Sequence, residues 1–468
     1  MPKLVALNLV VQGSDFFGEH KFYDALNAYT LAVKTDPDCS NGYMLRAMIY
    51  SFFLMDYERG SQDWTDFIRL NPHQALGYIN RGEIKEKVRD YGAAVGDYTK
   101  AIQQEPTMVT AYNDRAHAYN SLGEYDKAIA DCETSLKLGS LDDYGGAYLN
   151  RAVAEKWQNN QEACSKDLKA ANEAFTQLIK KDANSSYAYL KRAQVLEEQG
   201  NFSAALQDLN HILAIIPENK EAHIARITVS LSARDVPGAI AYCNDAERIW
   251  KKDAHILCIR GSCYQILGDQ VAALVDYTQA IDICPAYYEA VEGRAVAFDA
   301  LGKFDKAIAD YSLIAAKGSE KSHVYYPLGL CEFKAKDFKG AALNFDLAFA
   351  SPSSQPNTRL YSSILGVLAF RFEANDKEAE RLLNSGLAAN IDCWPQPVLR
   401  YLKSELNEIQ LLNLATDQDK LTEARSYIGL NNFQQKKYVE ANESFAWVLA
   451  KGNKSFYEYA LAKTFSTK

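Results

Sequence analysis

Small, aromatic and apolar positions return along the chain at a fixed interval, and a single arginine keeps time with them. It stands at 46, 81, 115, 151, 192, 226, 260 and 294, with gaps of 35, 34, 36, 41, 34, 34 and 34 residues. Tyr43, Tyr78, Tyr112, Tyr148 and Tyr189 lie three residues before an arginine, and Ala47, Gly82, Ala116, Ala152, Ala193, Gly261 and Ala295 directly follow one. Twelve positions later another small residue appears, at Ala94, Ala128, Ala205, Ala239, Ala273 and Ala307. Pro37, Pro72, Pro106, Pro217 and Pro285 punctuate the joins. The pattern predicts two amphipathic helices per unit, joined near a segment such as LGEYDK (122–127), where a glycine or polar residue ends the first helix. The small residues let the two helices approach closely. Proline cannot continue a helix and breaks the chain between units. One such unit cannot bury its apolar face alone, and stacking buries it continuously.

With its period of 34 and its arginine, tyrosine, alanine and proline phases, the chain resembles the tetratricopeptide repeat (TPR) family. The resemblance implies an all-α fold, a right-handed α-solenoid superhelix of about twelve helical hairpins. Ten units are expected over residues 1–350, with an unusually long second helix near 163–182. Residues 351–358, SPSSQPNT, read as a linker or joint. Degenerate repeat units and a C-terminal cap follow over 359–468. That ending, from Trp394 through EARSYIG to FYEYALAK, resembles the end of certain bacterial TPR lipoproteins and their soluble relatives, although the opening residues place no lipid-accepting cysteine.

The arginines have partners at a constant distance. Arg81 and Asp97, Arg115 and Asp131, Arg151 and Asp167, Arg192 and Asp208, Arg260 and Asp276, and Arg294 and Asp310 are each sixteen residues apart; Arg46 finds Asp63 one residue further on, and Arg226 faces Tyr242. With the hairpin turning midway, both side chains lie about 12 Å from the turn, at one height on antiparallel helices. These residues are expected to form structural ion pairs. A row of arginines binding an acidic ligand is the alternative, and the matched carboxylates argue against it.

Function then falls to the inner face of the first helices. The position before each arginine includes Asn80, Asp114, Asn150 and Lys191, a polar row similar to the asparagine ladders with which some TPR superhelices hold a peptide backbone. A carboxamide donates and accepts at once, which suits main-chain recognition. Asn113 and His117 project beside the row. The positions two before the arginine are largely apolar, either a greasy groove or packing between first helices. TPR co-chaperones that hold the acidic tails of Hsp70 and Hsp90 need a basic and asparagine set over three consecutive units. The run Asn113, His117, Asn150, Lys191 lacks the second basic residue, so that role is disfavoured.

Composition narrows the alternatives. The 468 residues exceed one ordinary core and carry a net charge of −9, which argues against nucleic acid as partner. The nine cysteines form no CxxC pair, and the seven histidines never fall at metal-ligand spacing, so neither a metal nor a cofactor is expected. Phosphate-loop, dinucleotide, zinc-protease and nucleophile-elbow motifs are all missing, so no enzyme is expected. No apolar run is long enough for membrane insertion. The expectation is a non-catalytic, cytoplasmic scaffold for a protein or peptide partner. The alternatives are a structural subunit of an oligomer and a cell-envelope adaptor.

Overall fold

The computed structural model describes residues 2–19, 21–54, 56–316, 323–351, 355–388 and 394–466, and among them every regular element is helical. The helices come in pairs: Pro2–Gly18 with Phe22–Thr35, Ser40–Met48 with Tyr57–Leu70, Ala75–Lys87 with Tyr91–Gln104, Val109–Leu122 with Tyr125–Leu138, Leu141–Trp157 with Gln161–Lys181, and Ser186–Glu198 with Phe202–Ile215. Lys220–Ser232 with Val236–Ile249, Tyr288–Ala300 with Phe304–Ala315, Tyr325–Ala335 with Phe338–Ala350, and Pro356–Phe372 with Asp376–Ala388 continue the series, with Ala254–Ile266 and Gln270–Ile283 following one another in the chain at the eighth place. Two short helices, Gln396–Leu402 and Glu408–Leu414, intervene before a twelfth pair, Gln418–Gln434 with Tyr438–Lys451, and a last helix, Tyr457–Phe465.

The repeated residues explain the hairpins. Gly123 takes φ +75° and closes the helix Val109–Leu122 in the left-handed conformation that other residues resist. At Gly82 a Cβ would fall 2.6 Å from the Tyr98 ring, so the glycine is what lets the third pair close around that buried tyrosine. Asp90, Asn160, Asn201 and Asp235 cap the second helices of their pairs by accepting a backbone N–H.

The chain divides into two compact units, one of residues 1–269 and 279–287, the other of residues 270–278 and 288–468. In the first unit, successive first helices touch one another: Ala75–Lys87 meets Val109–Leu122, which meets Leu141–Trp157, which meets Ser186–Glu198, which meets Lys220–Ser232. The second helices pack on the first helices of their own and the following pair. First helices therefore line the inner side of this stack. Its core is a string of small clusters, one per joint, such as Ala116, Ala128, Cys132 and Ala154, or Ala193, Ala205, Leu209 and Val229.

Two features depart from plain repetition. Ile49–Phe53 is a π-helical segment at the end of the second pair's first helix. Gln161–Lys181, 21 residues long, is the extended second helix of the fifth pair. Of the segment read as a joint, 352–354 lie outside the described residues, and Pro356 opens a 17-residue helix. Residues 356–358 are thus the first turn of a helix and not linker, a position that suits proline because its missing N–H has no helical partner there.

In the second unit one continuous apolar cluster runs from Phe333 to Phe465 and takes in both Tyr325–Ala335 and the final helix.

Candidate protein-interaction face

The arginines are built into the stack. Arg81 donates from Nε and Nη2 to both carboxylate oxygens of Asp97 at 2.8 and 2.6 Å. Arg115 does the same to Asp131, at 2.7 and 2.7 Å, and Arg192 to Asp208, at 2.7 and 2.7 Å. Arg151 holds Asp167 at 2.5 and 2.9 Å, and Arg294 holds Asp310 at 2.9 and 2.8 Å. Arg46 and Asp63 form the same fork at 2.8 and 2.7 Å. The aspartates are buried and the arginines largely so. Arg260 and Asp276 belong to different units, and their pairing remains an expectation; Arg260 Nη1 donates to Glu247 and, at 2.8 Å, to Asn244.

A third tie was not read from the sequence. Arginine Nη1 reaches back sixteen residues to the preceding second helix, where Arg81 meets Thr65 at 3.1 Å, Arg115 meets Thr99 at 3.0 Å and Arg192 meets Thr176 at 3.1 Å. Each of these arginines therefore joins three helices from two successive pairs. A repeated threonine sixteen positions before the arginine was the available signal. Arg226, lacking the aspartate, lies 4.0 Å over the Tyr242 ring and 3.8 Å from Asp245. Its Nε is buried without a hydrogen-bond partner.

The polar row is more committed than its sequence suggested. Asn80 Nδ2 donates to the Leu76 carbonyl of its own helix at 2.9 Å. Asn150 Nδ2 donates to the Asn113 carbonyl at 2.9 Å, and Asn120 Nδ2 donates to the Asn150 carbonyl at 2.8 Å. One N–H of each of these carboxamides thus braces a helix, which leaves the second N–H for other partners. Asn113 Oδ1 is buried with no partner. The apolar row two positions before the arginines is packing: Met44, Ile79, Leu149, Leu190 and Ile224 all sit in or against the joint clusters.

What gathers on the inner face is charge. His117 Nδ1 lies 3.2 Å from Glu86 Oε1, and that hydrogen bond raises the imidazole above its ordinary range against the effect of burial. Partial burial first, then the charges of Glu83 and Glu86, push the Asp114 carboxyl up to about 7, while His117 and Lys191 oppose the rise. Burial lowers Lys191, which sits two pairs further along and is steadied by Asp114. Burial likewise raises Glu83. The structure thus brings Asp114, His117 and Lys191 together, and adds Glu83 and Glu86 from the preceding pair. Nothing in the repeat phase marks these two, which gain significance only from their charges acting on Asp114, although Glu83 follows Arg81 by two residues, as His117 follows Arg115. Among the described residues no cluster of histidine, cysteine or carboxylate side chains could hold a metal, and no helix is long and apolar enough to cross a membrane.

Against known proteins, tetratricopeptide repeat families match residues 109–139, 166–219 and 292–356. This is a tetratricopeptide repeat protein. The TPR matches end at residue 356, and the similarity of the C-terminal end to bacterial lipoproteins remains an expectation. ETO1-like protein 1 of Arabidopsis thaliana is 29% identical over 126 residues, which is 27% of this chain and 14% of that protein. Hsp70-Hsp90 organizing protein 2 of the same plant is 33% identical over 84 residues, 18% of this chain and 14% of that protein. The TPR chain therefore spans a small part of both relatives. Among solved structures, MamA is 22% identical with a TM-score of 0.34, covering 38% of this chain and 96% of its own. Yeast Tom70 is 15% identical with a TM-score of 0.37, covering 98% and 94%. TPR stacks serve in general as scaffolds for protein interaction, and this chain is built as one.

Proposed function

We propose that this TPR protein is a non-catalytic scaffold that takes an extended segment of a partner protein along the inner face bearing Asn80, Asp114, Asn150 and Lys191, with a basic side chain of that segment seated against Asp114, Glu83 and Glu86. The observation that supports this most is the gathering of three acids on one face: burial first, then the charges of Glu83 and Glu86, raises the Asp114 carboxyl, and His117 and Lys191 offset this only in part. An incoming lysine or arginine would relieve that repulsion and gain a charge-assisted hydrogen bond in a partly desolvated setting. Asn113 Oδ1, an acceptor without a donor, adds a place for a peptide N–H reached on small rearrangement. The same acids repel the acidic tails that the co-chaperone clamp holds, in line with that role being disfavoured.

A displayed library of random ten-residue peptides tests the reading. The unmodified protein should enrich lysine- and arginine-bearing sequences. Asp114→Asn combined with Glu83→Gln should abolish that preference while leaving the melting curve close to that of the parent. Enrichment of acidic peptides, or an unchanged preference in the double variant, would overturn it.

A further inference from the structure

The repeat stack is interrupted once within the described residues, where two short helices, Gln396–Leu402 and Glu408–Leu414, stand between the eleventh and twelfth pairs. A cleft of about 550 Å³ opens there, and its lining includes Arg371, Tyr401, Glu408, Asn431, Asn432 and Gln434. That size is ordinary for a ligand site, but the lining is unusually polar.

Arg371 is the decisive group. Its Nη2 donates to the Leu402 carbonyl at 2.8 Å, and its Nη1 lies 3.5 Å from Asn431 Oδ1. Among the described residues no carboxylate forms an ion pair with it, so a half-buried guanidinium is held in place by neutral oxygens. Burial lowers its pKa, and Asp376 only partly opposes this. The carboxylate opposite is already committed: Glu408 Oε1 accepts from Asn432 Nδ2 at 2.8 Å. Asn431 Nδ2 donates to the Tyr401 hydroxyl at 3.1 Å, and Gln434 Nε2 to the Arg371 carbonyl at 3.1 Å. The cleft therefore presents a cation positioned in advance and, among the described residues, not engaged in an ion pair, beside side-chain carboxamides that are themselves held in place. Such a fork matches a planar carboxylate in a bidentate pair. Glu408 and Asp376 in the same lining disfavour a doubly charged phosphate. Carboxamides beside the fork suit the amide groups that accompany a carboxylate at the end of a peptide.

We propose that this cleft binds the free C-terminal carboxylate of a peptide, with the carboxylate on Arg371 and the preceding backbone amides on Asn431 and Asn432. The site lies wholly in the second unit and does not depend on the inner face of the first.

Calorimetric titration of the full chain with N-acetylated tripeptides, each as free acid and as C-terminal amide, decides the matter. The acids should bind at least about tenfold tighter than the matching amides, the loss expected when a desolvated guanidinium is left without its anion. Arg371→Gln should remove binding. Because Arg371 also holds the Leu402 carbonyl, Lys437→Glu serves as a second variant. Lys437 is exposed at the cleft rim and caps the helix Tyr438–Lys451, where an acid is tolerated or favoured, so this change should weaken the acids several-fold with an unchanged melting curve. Equal binding of acid and amide, no binding of either, binding insensitive to Lys437→Glu, or free amino acids and inorganic phosphate binding as well as the peptides would each overturn the proposal.

Discussion

The pairs that carry the arginine and the pairs that follow Pro356 bury the same kind of surface by different means. In the first unit the joints have small clusters of their own, rich in alanine with a cysteine or a tyrosine, and the first helices of Arg46, Arg81, Arg115, Arg151 and Arg192 each hold a charged fork. Every contact repeats with the period, and each joint speaks only to its neighbours. From Phe333 onward the fork gives way to phenylalanines that stack across several elements: Phe338 lies 4.1 Å from Phe372, and Phe465 lies 5.5 Å from Phe333 and 5.4 Å from Phe433. Polar groups there go inside. Tyr361 and Trp394 both donate to Glu423 at 2.8 Å, and Tyr427 donates to Glu458 at 2.9 Å. The difference teaches that a periodic sequence can be stable with weak, local and interchangeable joints, whereas a region that loses the period needs one shared core in which buried carboxylates such as Glu423 and Glu458 are hydrogen-bonded.

The sharpest way to break the comparison is to open a hole in the shared core. Phe345 is fully buried in the cluster that runs to the final helix. Phe345→Ala should cost about 3–5 kcal/mol and lower the unfolding transition of the second unit as a whole. Hydrogen exchange would show this as lost protection both in Tyr325–Ala335 and in Tyr457–Phe465. Loss confined to the tenth pair would mean that this core is as local as those of the repeats.

Acid titration should separate the regions next. Burial first, then the neighbouring Glu423 charge, pushes Glu458 up to about 7, and burial takes Glu332 to a similar value. A carboxyl whose folded pKa is raised binds its proton more tightly in the folded state. Its contribution is full below the unfolded value, near 4.5, and is lost as pH rises through about 7. The second unit should therefore melt higher at pH 5 than at pH 8, by on the order of 3 kcal/mol for Glu458. Glu458→Gln, which keeps an acceptor for Tyr427, combined with Glu332→Gln should flatten the dependence. A slope that persists in the variant would place the titration elsewhere.

The charged fork comes third. Removing one partner of a buried pair costs roughly 3–5 kcal/mol, and the partial exposure of the Arg115 side chain, 16%, brings the expected loss for Arg115→Ala to about 1–3 kcal/mol. A double-mutant cycle with Asp131→Ala should show strong coupling, and one with Thr99→Val a weaker one. Additive losses would leave the fork without a structural role. The smallest effect belongs to Arg226, whose cycle with Tyr242→Leu should give about 0.5–1 kcal/mol, as expected of a cation over an aromatic ring.

The hairpins were legible because their signals are local: the small residues, the turn glycines and the capping residues act within one pair. The arginine and aspartate spacing was legible because antiparallel helices convert an interval in sequence into a height. What escaped depends on how one pair sits against the next. The threonine tie spans two pairs, and in sequence Thr99 is an unremarked polar residue of a second helix. Asn150 looked like a rung of a peptide ladder because nothing in its own helix shows that the Asn113 carbonyl comes within 2.9 Å. Glu83 and Glu86 gain significance only through their nearness to Asp114. The cleft at Arg371 was invisible, since the stretch from Trp394 to Asp417, which supplies Tyr401 and Glu408 to its lining, has no repeat phase.

The backward reach of the arginine bears on how such a chain can grow. A copied stretch of 34 residues carries both its own aspartate and the threonine that the next arginine will seek, so it splices into the array already laced on both sides. The lacing survives the 41-residue interval before Arg192 but fails before Arg151, where the residue sixteen positions back is Ser135, its hydroxyl buried and without a hydrogen-bond partner. At that same seam Asn113, Asn120 and Asn150 tie the first helices on the inner side. A stitch missing on one face is thus accompanied by others on the opposite face of the array.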